Sequence, residues 1–206
     1  MLVLKRLTFG LMTFLCVGVA VVSARYLAPG MPGGAPPVTQ NAFADPWLVW
    51  HAGAALTALA IGPFQFLRRR DGKRGAGHRA LGAVYICACL VGAVSGFLLS
   101  IGTTAGPIAA IGFGALAVAW FGTNTLGLIS VLTGRYEEHR RWMIRSFALT
   151  LAAVTLRLYM PLAAGMGLDM GVAYVAISYL CWIPNIVVAE LFFVPRRQPR
   201  LRPQPA

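Results

Sequence analysis

The sequence predicts an all-α polytopic membrane protein, a bundle of six transmembrane helices with both termini in the cytoplasm. Three observations predict it. Of 206 residues, 58% are hydrophobic and 12% charged, with a mean hydropathy of +0.70, whereas a soluble domain has about a quarter of its residues charged. The apolar residues fall in six runs near the ~20 residues that one bilayer crossing requires, and the short stretches between them leave no room for a separate soluble domain. The basic residues are also one-sided. Lys5 and Arg6, Arg68 to Arg79, Arg135 to Arg141, and the tail from Arg196 to Arg202 hold 15 of the 18 Lys and Arg. Alternate connections are thus strongly basic, which places them in the cytoplasm.

The first span is expected over about 7–26. It follows Lys5-Arg6 and ends at Arg25-Tyr26. Val22-Ser23-Ala24 also fits a small-residue cleavage site, so a signal peptide is the rival reading; the basic-residue count works best with the helix retained. Residues 28–46 carry Pro29, Pro32, Gly33, Gly34, Pro36 and Pro37, the composition of an irregular external loop. The second span, 47–67, contains Gly62-Pro63, which predicts a kink. The third is expected at 79–101, the fourth at 108–132, the fifth at 142–164 after a basic loop at 135–141, and the sixth at 171–194 before a basic cytoplasmic tail at 195–206. Trp47, Trp50, Trp142 and Tyr26 fall near the interfaces, where amphipathic rings settle.

The net charge of +12 would suggest nucleic acid on a soluble protein. Clustered at span ends it sets orientation instead, and no aromatic-and-basic surface motif supports nucleic-acid binding. The expected partner is the lipid bilayer, in a bacterial cytoplasmic (inner) membrane, with a membrane protein or a second copy of the chain as a further candidate. Cys16, Cys87, Cys89 and Cys181 all lie in apolar runs without metal-type spacing and read as small buried apolar residues. Gly92-x-x-x-Gly96 in the third span, and Gly112, Gly114, Gly122 and Gly127 in the fourth, predict close helix packing.

Polar groups at membrane depth are costly and therefore candidates for function. Toward the external side, His51, Arg157, Tyr159 and Arg25 could form a basic pocket for an anion, a quinone carbonyl or a haem propionate. The structural alternative has Arg25 reaching the lipid phosphates and Arg157 satisfied by carbonyls, Tyr159 or Asp169. Toward the cytoplasmic side, Arg145 and Glu190 lie on consecutive antiparallel spans and are expected to form a salt bridge. Gln65, Asn124 and Asn185 suit interhelical hydrogen bonds or a cavity lining; Pro184 frees a backbone carbonyl beside Asn185. His78-Arg79 and His139-Arg140-Arg141 open helices at the cytoplasmic rim. Two imidazoles could share a metal or a haem iron, but the surrounding basic residues would repel a cation, so interfacial or helix-end contacts are favoured. No nucleophilic triad or phosphate-binding glycine loop is present.

The run His51-Ala-Gly-Ala-Ala-Leu-Thr-Ala-Leu-Ala-Ile-Gly-Pro-Phe-Gln-Phe-Leu67 stands out, with His78-Arg79-x-x-Gly82-x-x-Tyr85, His139-Arg140-Arg141-Trp142-Met143-Ile144-Arg145-Ser146, Thr155-Leu156-Arg157-Leu158-Tyr159, Trp182-Ile183-Pro184-Asn185 and Glu190. As a set, over about 47–192, these resemble a bacterial family of predicted membrane proteins, the domain of unknown function 2306. Arg25-Tyr26 is similar to the end of that family's first span. The resemblance implies no activity. It implies where to look: at His51, Gln65, His78, Arg79, Tyr85, His139, Arg140, Arg145, Arg157, Asn185 and Glu190. Three functional classes remain open: a redox protein holding a cofactor such as haem at His51 or at His78 with His139, a transporter or binder of a small molecule in a polar intramembrane cavity of Arg157, Asn124 and Asn185, and a structural or partner-binding subunit.

Overall fold

The computed structural model of the chain describes residues 2–27, 38, 40–67 and 75–195. Most of the expected external loop, the basic stretch 68–74 and the tail from 196 lie outside the described residues. Within them the chain is helical, without strands, and six helical segments are long and apolar enough to cross a bilayer. In lipid each backbone N–H and C=O must be paired within its own segment, which leaves the helix as the economical state of an apolar run.

The first span is α1 (Leu2–Ser23), closed by a 3₁₀ turn, Ala24–Leu27. The second is α2 (Ala44–Ile61), which breaks at Gly62-Pro63 into the 3₁₀ turn Pro63–Phe66. The third is α3 (Ala76–Ile101) and the fourth α4 (Pro107–Leu132). The fifth is split at Leu151 into α5 (Tyr136–Thr150) and α6 (Ala152–Gly165). The sixth is split at Cys181-Trp182 into α7 (Met170–Leu180) and α8 (Ile183–Phe192). Pro184 explains the last break, since it has no N–H for the carbonyl four residues back. The Cys181 carbonyl, one residue further on at the break, accepts from Asn185 Nδ2 at 2.9 Å.

Consecutive helices α2, α3, α4 and α5 pack as antiparallel neighbours, and α4 also carries α7. α8 rests on α5. α1 packs mainly on α2 and touches α6 only lightly. The surface is apolar: Phe14, Ile111, Leu132 and Leu191 are exposed, while Asn124, Ser146 and Ser178 are fully buried. This arrangement, greasy outside with small and polar groups inside, suits a lipid solvent.

Three expectations are corrected. Residues 135–141 are not a loop, because α5 begins at Tyr136. Glu137 and Glu138 lie in its first turn, where acids suit the positive end of the helix dipole, and Arg135 binds Glu138 at 2.9 Å. Cys87 is not buried. Cys16, Cys89 and Cys181 are, and the two-residue offset turns Cys87 to the opposite side of α3 from Cys89. Gly122 makes no close contact, whereas a Cβ at Gly112 would overlap Ser178 and one at Gly127 would meet Met143.

Candidate functional site

Opposite the basic ends of the helices, a cavity of about 590 Å³ opens between α1, α2, α3, α4, α6 and α7. Its walls are mainly apolar, and among the described residues no Asp or Glu lines it. His51, Arg157 and Arg25 all border it, as do Tyr26, Tyr174 and Asn41. Of the four residues expected on this side, the structure brings His51, Arg157 and Arg25 to one cavity wall. Tyr159 is not at the cavity wall; it packs against the cluster of Ala152, Ala163, Ala173 and Ile177. Tyr26 and Tyr174 supply the phenols instead.

Each polar group is placed by identifiable contacts. The His51 ring, one turn into the apolar part of α2, lies over Gly96 of α3, where a Cβ would come within 2.9 Å of the ring. Its Nδ1 is 2.8 Å from the Gly92 carbonyl. Gly92 in turn makes room for the Trp120 ring, since a Cβ there would lie 2.8 Å from Cζ3. The Gly92-x-x-x-Gly96 pair thus seats two rings, from α2 and α4. Arg157 donates from Nη1 to the Ala153 carbonyl at 3.0 Å, its one hydrogen bond among the described residues. A guanidinium carries five N–H donors, so four of them are without a protein acceptor among the described residues, in a side chain that borders the cavity. Asp169, the acid considered for it, accepts from Val172 N at 2.8 Å and caps α7 instead. Pro161, also at the wall, leaves the Arg157 carbonyl without its usual i+4 donor. Arg25 lies over the Tyr26 ring at 5.1 Å and donates to its hydroxyl at 3.3 Å. His51, Arg25 and Tyr26 are all within electrostatic reach of Arg157.

A second polar region adjoins the cavity and shares Trp120 and Thr150 with its wall. Below the cavity, Tyr85 of α3, Trp120 and Asn124 of α4, and Ser146 and Thr150 of α5 form a buried network. The Tyr85 hydroxyl is 3.0 Å from Ser146 Oγ and 2.9 Å from Thr150 Oγ1. Trp120 Nε1 donates to Thr150 Oγ1 at 3.0 Å. Ser146 Oγ donates to Asn124 Oδ1 at 2.9 Å, Asn124 Nδ2 to the Trp120 carbonyl at 2.8 Å, and Thr150 Oγ1 to the Ser146 carbonyl at 2.9 Å. With the Ser146 and Thr150 protons committed, Tyr85 shares its single proton between the two hydroxyls. Every member has a partner, which suits structural cohesion. Asn124 itself does not line the Arg157 cavity. Neither does Asn185, which bonds Thr155 at 2.9 Å.

At the basic end, Arg145 and Glu190 meet in a two-pronged ion pair, Nε to Oε1 and Nη2 to Oε2 at 3.0 Å, and the Arg145 guanidinium lies 4.7 Å above the Trp142 ring. His139 Nδ1 is 2.8 Å from the Gly127 carbonyl and ties α5 to α4. His78 is half-buried and Arg79 exposed near the start of α3. Gln65 Oε1 faces Gly82, and its Nε2 is buried with no hydrogen-bond partner among the described residues. Among the described residues, no group of three His, Cys, Asp or Glu could hold a metal ion.

Sequence reasoning missed Ser146, Thr150, Trp120 and Tyr174. A signal existed for the first three. Trp120/Asn124 and Ser146/Thr150 are each four residues apart, so each pair shares a helix face. The model of the DUF2306 predicted membrane protein family matches residues 48–193. No curated protein and no solved structure matches the chain.

Proposed function

Because the chain belongs to the DUF2306 family of predicted membrane proteins, whose description names no activity, we propose a function from the cavity itself. The protein binds, within the bilayer, an amphipathic small molecule whose head group presents an oxygen acceptor to Arg157. One observation carries this reading: a guanidinium whose described partner is a single backbone carbonyl borders an apolar cavity of about 590 Å³ that no acid among the described residues lines. An unpaired charge at membrane depth is costly and marks a binding path, and the cavity size falls within the range of small-molecule sites. The light contact between α1 and α6 favours loading from the lipid side. Of the three classes left open by the sequence, this supports the binder or transporter over the structural subunit.

The remaining placement is part of the same proposal. Both termini and the basic connections lie in the cytoplasm of a bacterial inner membrane, and the cavity opens toward the external leaflet. The concentration of Lys and Arg at one set of helix ends supports this orientation. A partner membrane protein or a second copy of the chain has no specific observation behind it.

Thermal unfolding in detergent tests the binding. A ligand that binds only the folded state at 100 times its Kd stabilises by about 2.7 kcal/mol. Amphiphiles with a carboxylate, phosphate or carbonyl head should raise Tm, and the same tail without an oxygen head should not. Equal stabilisation by the headless tail would contradict a role for Arg157.

A further inference from the structure

The hydrogen-bonding state of His51 narrows the ligand class, on the premise that the cavity binds an amphiphile as proposed above. A backbone carbonyl only accepts, so the 2.8 Å contact with Gly92 places the ring proton on Nδ1. The neutral ring then has a bare lone pair at Nε2. His51 borders the cavity, and Nε2 makes no hydrogen bond among the described residues. The site therefore offers two opposite demands close together: Nε2 needs a donor, and Arg157 needs an acceptor. A fatty carboxylate would meet only the second. A quinone would set a carbonyl lone pair against the Nε2 lone pair. A hydroxylated ring meets both. Four aromatic side chains, Tyr26, Phe113, Trp120 and Tyr174, also line the cavity and suit a planar ring.

We propose that the ligand is a lipid-soluble hydroquinone, one ring hydroxyl donating to His51 Nε2, the other oxygen accepting from Arg157, and an apolar tail leaving between α1 and α6. The geometry selects the reduced form, because only that form brings a proton to Nε2. The protein reads the hydroxyl by holding His51 in one tautomer, with Gly92 fixing the proton and Gly96 giving the ring its place.

The test is calorimetric titration of the purified full chain in detergent, under anaerobic reducing conditions for the reduced ligand. The probes are a decyl-tailed hydroquinone, the corresponding quinone without reductant, and decanoate. The hydroquinone should bind at least about tenfold tighter than the quinone. His51→Phe should remove most of that preference and leave weaker binding of both. His51→Gln, which keeps an acceptor and disturbs folding least, should leave part of it. Equal affinity for hydroquinone and quinone, or tightest binding of decanoate, would overturn the hydroquinone assignment and leave amphiphile binding standing. No binding of any probe would overturn both. A Soret band in the purified protein that disappears in His51→Phe would make Nε2 an iron ligand and also overturn the assignment.

Discussion

Arg145 and Arg157 stand on the same transmembrane span and have opposite fates. Arg145 is held by both oxygens of Glu190 and by the Trp142 ring. Arg157 has the Ala153 carbonyl and a cavity. The first charge is completed by the fold, and its pairing joins α5 to α8. The second has only that carbonyl among the described residues, and the described wall around it is mainly apolar and aromatic, with no acid. The sequence already offers Arg145 a partner in Glu190, but for Arg157 it leaves a ligand pocket and satisfaction by carbonyls, Tyr159 or Asp169 both open. Their difference lies in what the neighbouring helices bring. A charge that the fold satisfies is architecture, and a charge that the fold leaves open beside a cavity is a place for a ligand.

The largest effect that would break this comparison concerns binding. Arg157→Leu should weaken an oxygen-headed amphiphile at least about tenfold, which is ~1.4 kcal/mol. It should leave the unliganded protein as stable as before or more so, because an incompletely satisfied charge is gone. A clear fall in Tm without ligand would show that Arg157 is structural after all. Arg145→Leu should act in reverse, costing about 1–3 kcal/mol of stability. That is less than a fully buried pair would lose, because Glu190 is 43% exposed and an exposed pair contributes little. Adding Glu190→Leu should recover much of the loss. Simple additivity of the two single losses would mean the pair carries no coupling.

The buried network sharpens the contrast between satisfied and open groups. Asn124→Ala removes the acceptor of the Ser146 hydroxyl and should cost about 1–2 kcal/mol in thermal unfolding, without changing ligand affinity. A loss of affinity as large as that of Arg157→Leu would mean that the network shapes the site through Trp120 and Thr150, which border the cavity. The smallest effect is expected at Tyr159. Tyr159→Phe should leave binding unchanged, since the side chain packs away from the cavity, whereas Tyr174→Phe touches the wall. Equal affinity losses for the two would place the cavity wrongly.

Much of this was legible in the sequence. The six apolar runs, Gly62-Pro63 and Pro184 announced the spans and two of their breaks, because hydropathy and proline act locally. His51, Arg25, Arg157, Arg145 and Glu190 could be found because ionisable groups are conspicuous in lipid. What stayed hidden depends on neighbours. Ser146 and Thr150 give no cost signal in an apolar run, since a hydroxyl can bond its own helix; Thr150 does bond the Ser146 carbonyl. Only packing against Tyr85 and Asn124 makes them a network. Tyr159 and Tyr174 are equivalent by composition, and the direction of α6 and α7 decides which one meets the cavity. Gly92 and Gly96 advertised close helix contact, but the structure uses the space for the rings of Trp120 and His51, a choice that no single-helix pattern contains.

The most direct test of the account is the Kd of one oxygen-headed amphiphile for three proteins in the same detergent: the unaltered chain, Arg157→Leu, and the double variant Arg145→Leu with Glu190→Leu. The account predicts a loss of at least about tenfold for Arg157→Leu and a change under about threefold for the double variant. Equal losses in both, or no loss at Arg157→Leu, would contradict the claim that the open arginine binds and the paired one only builds.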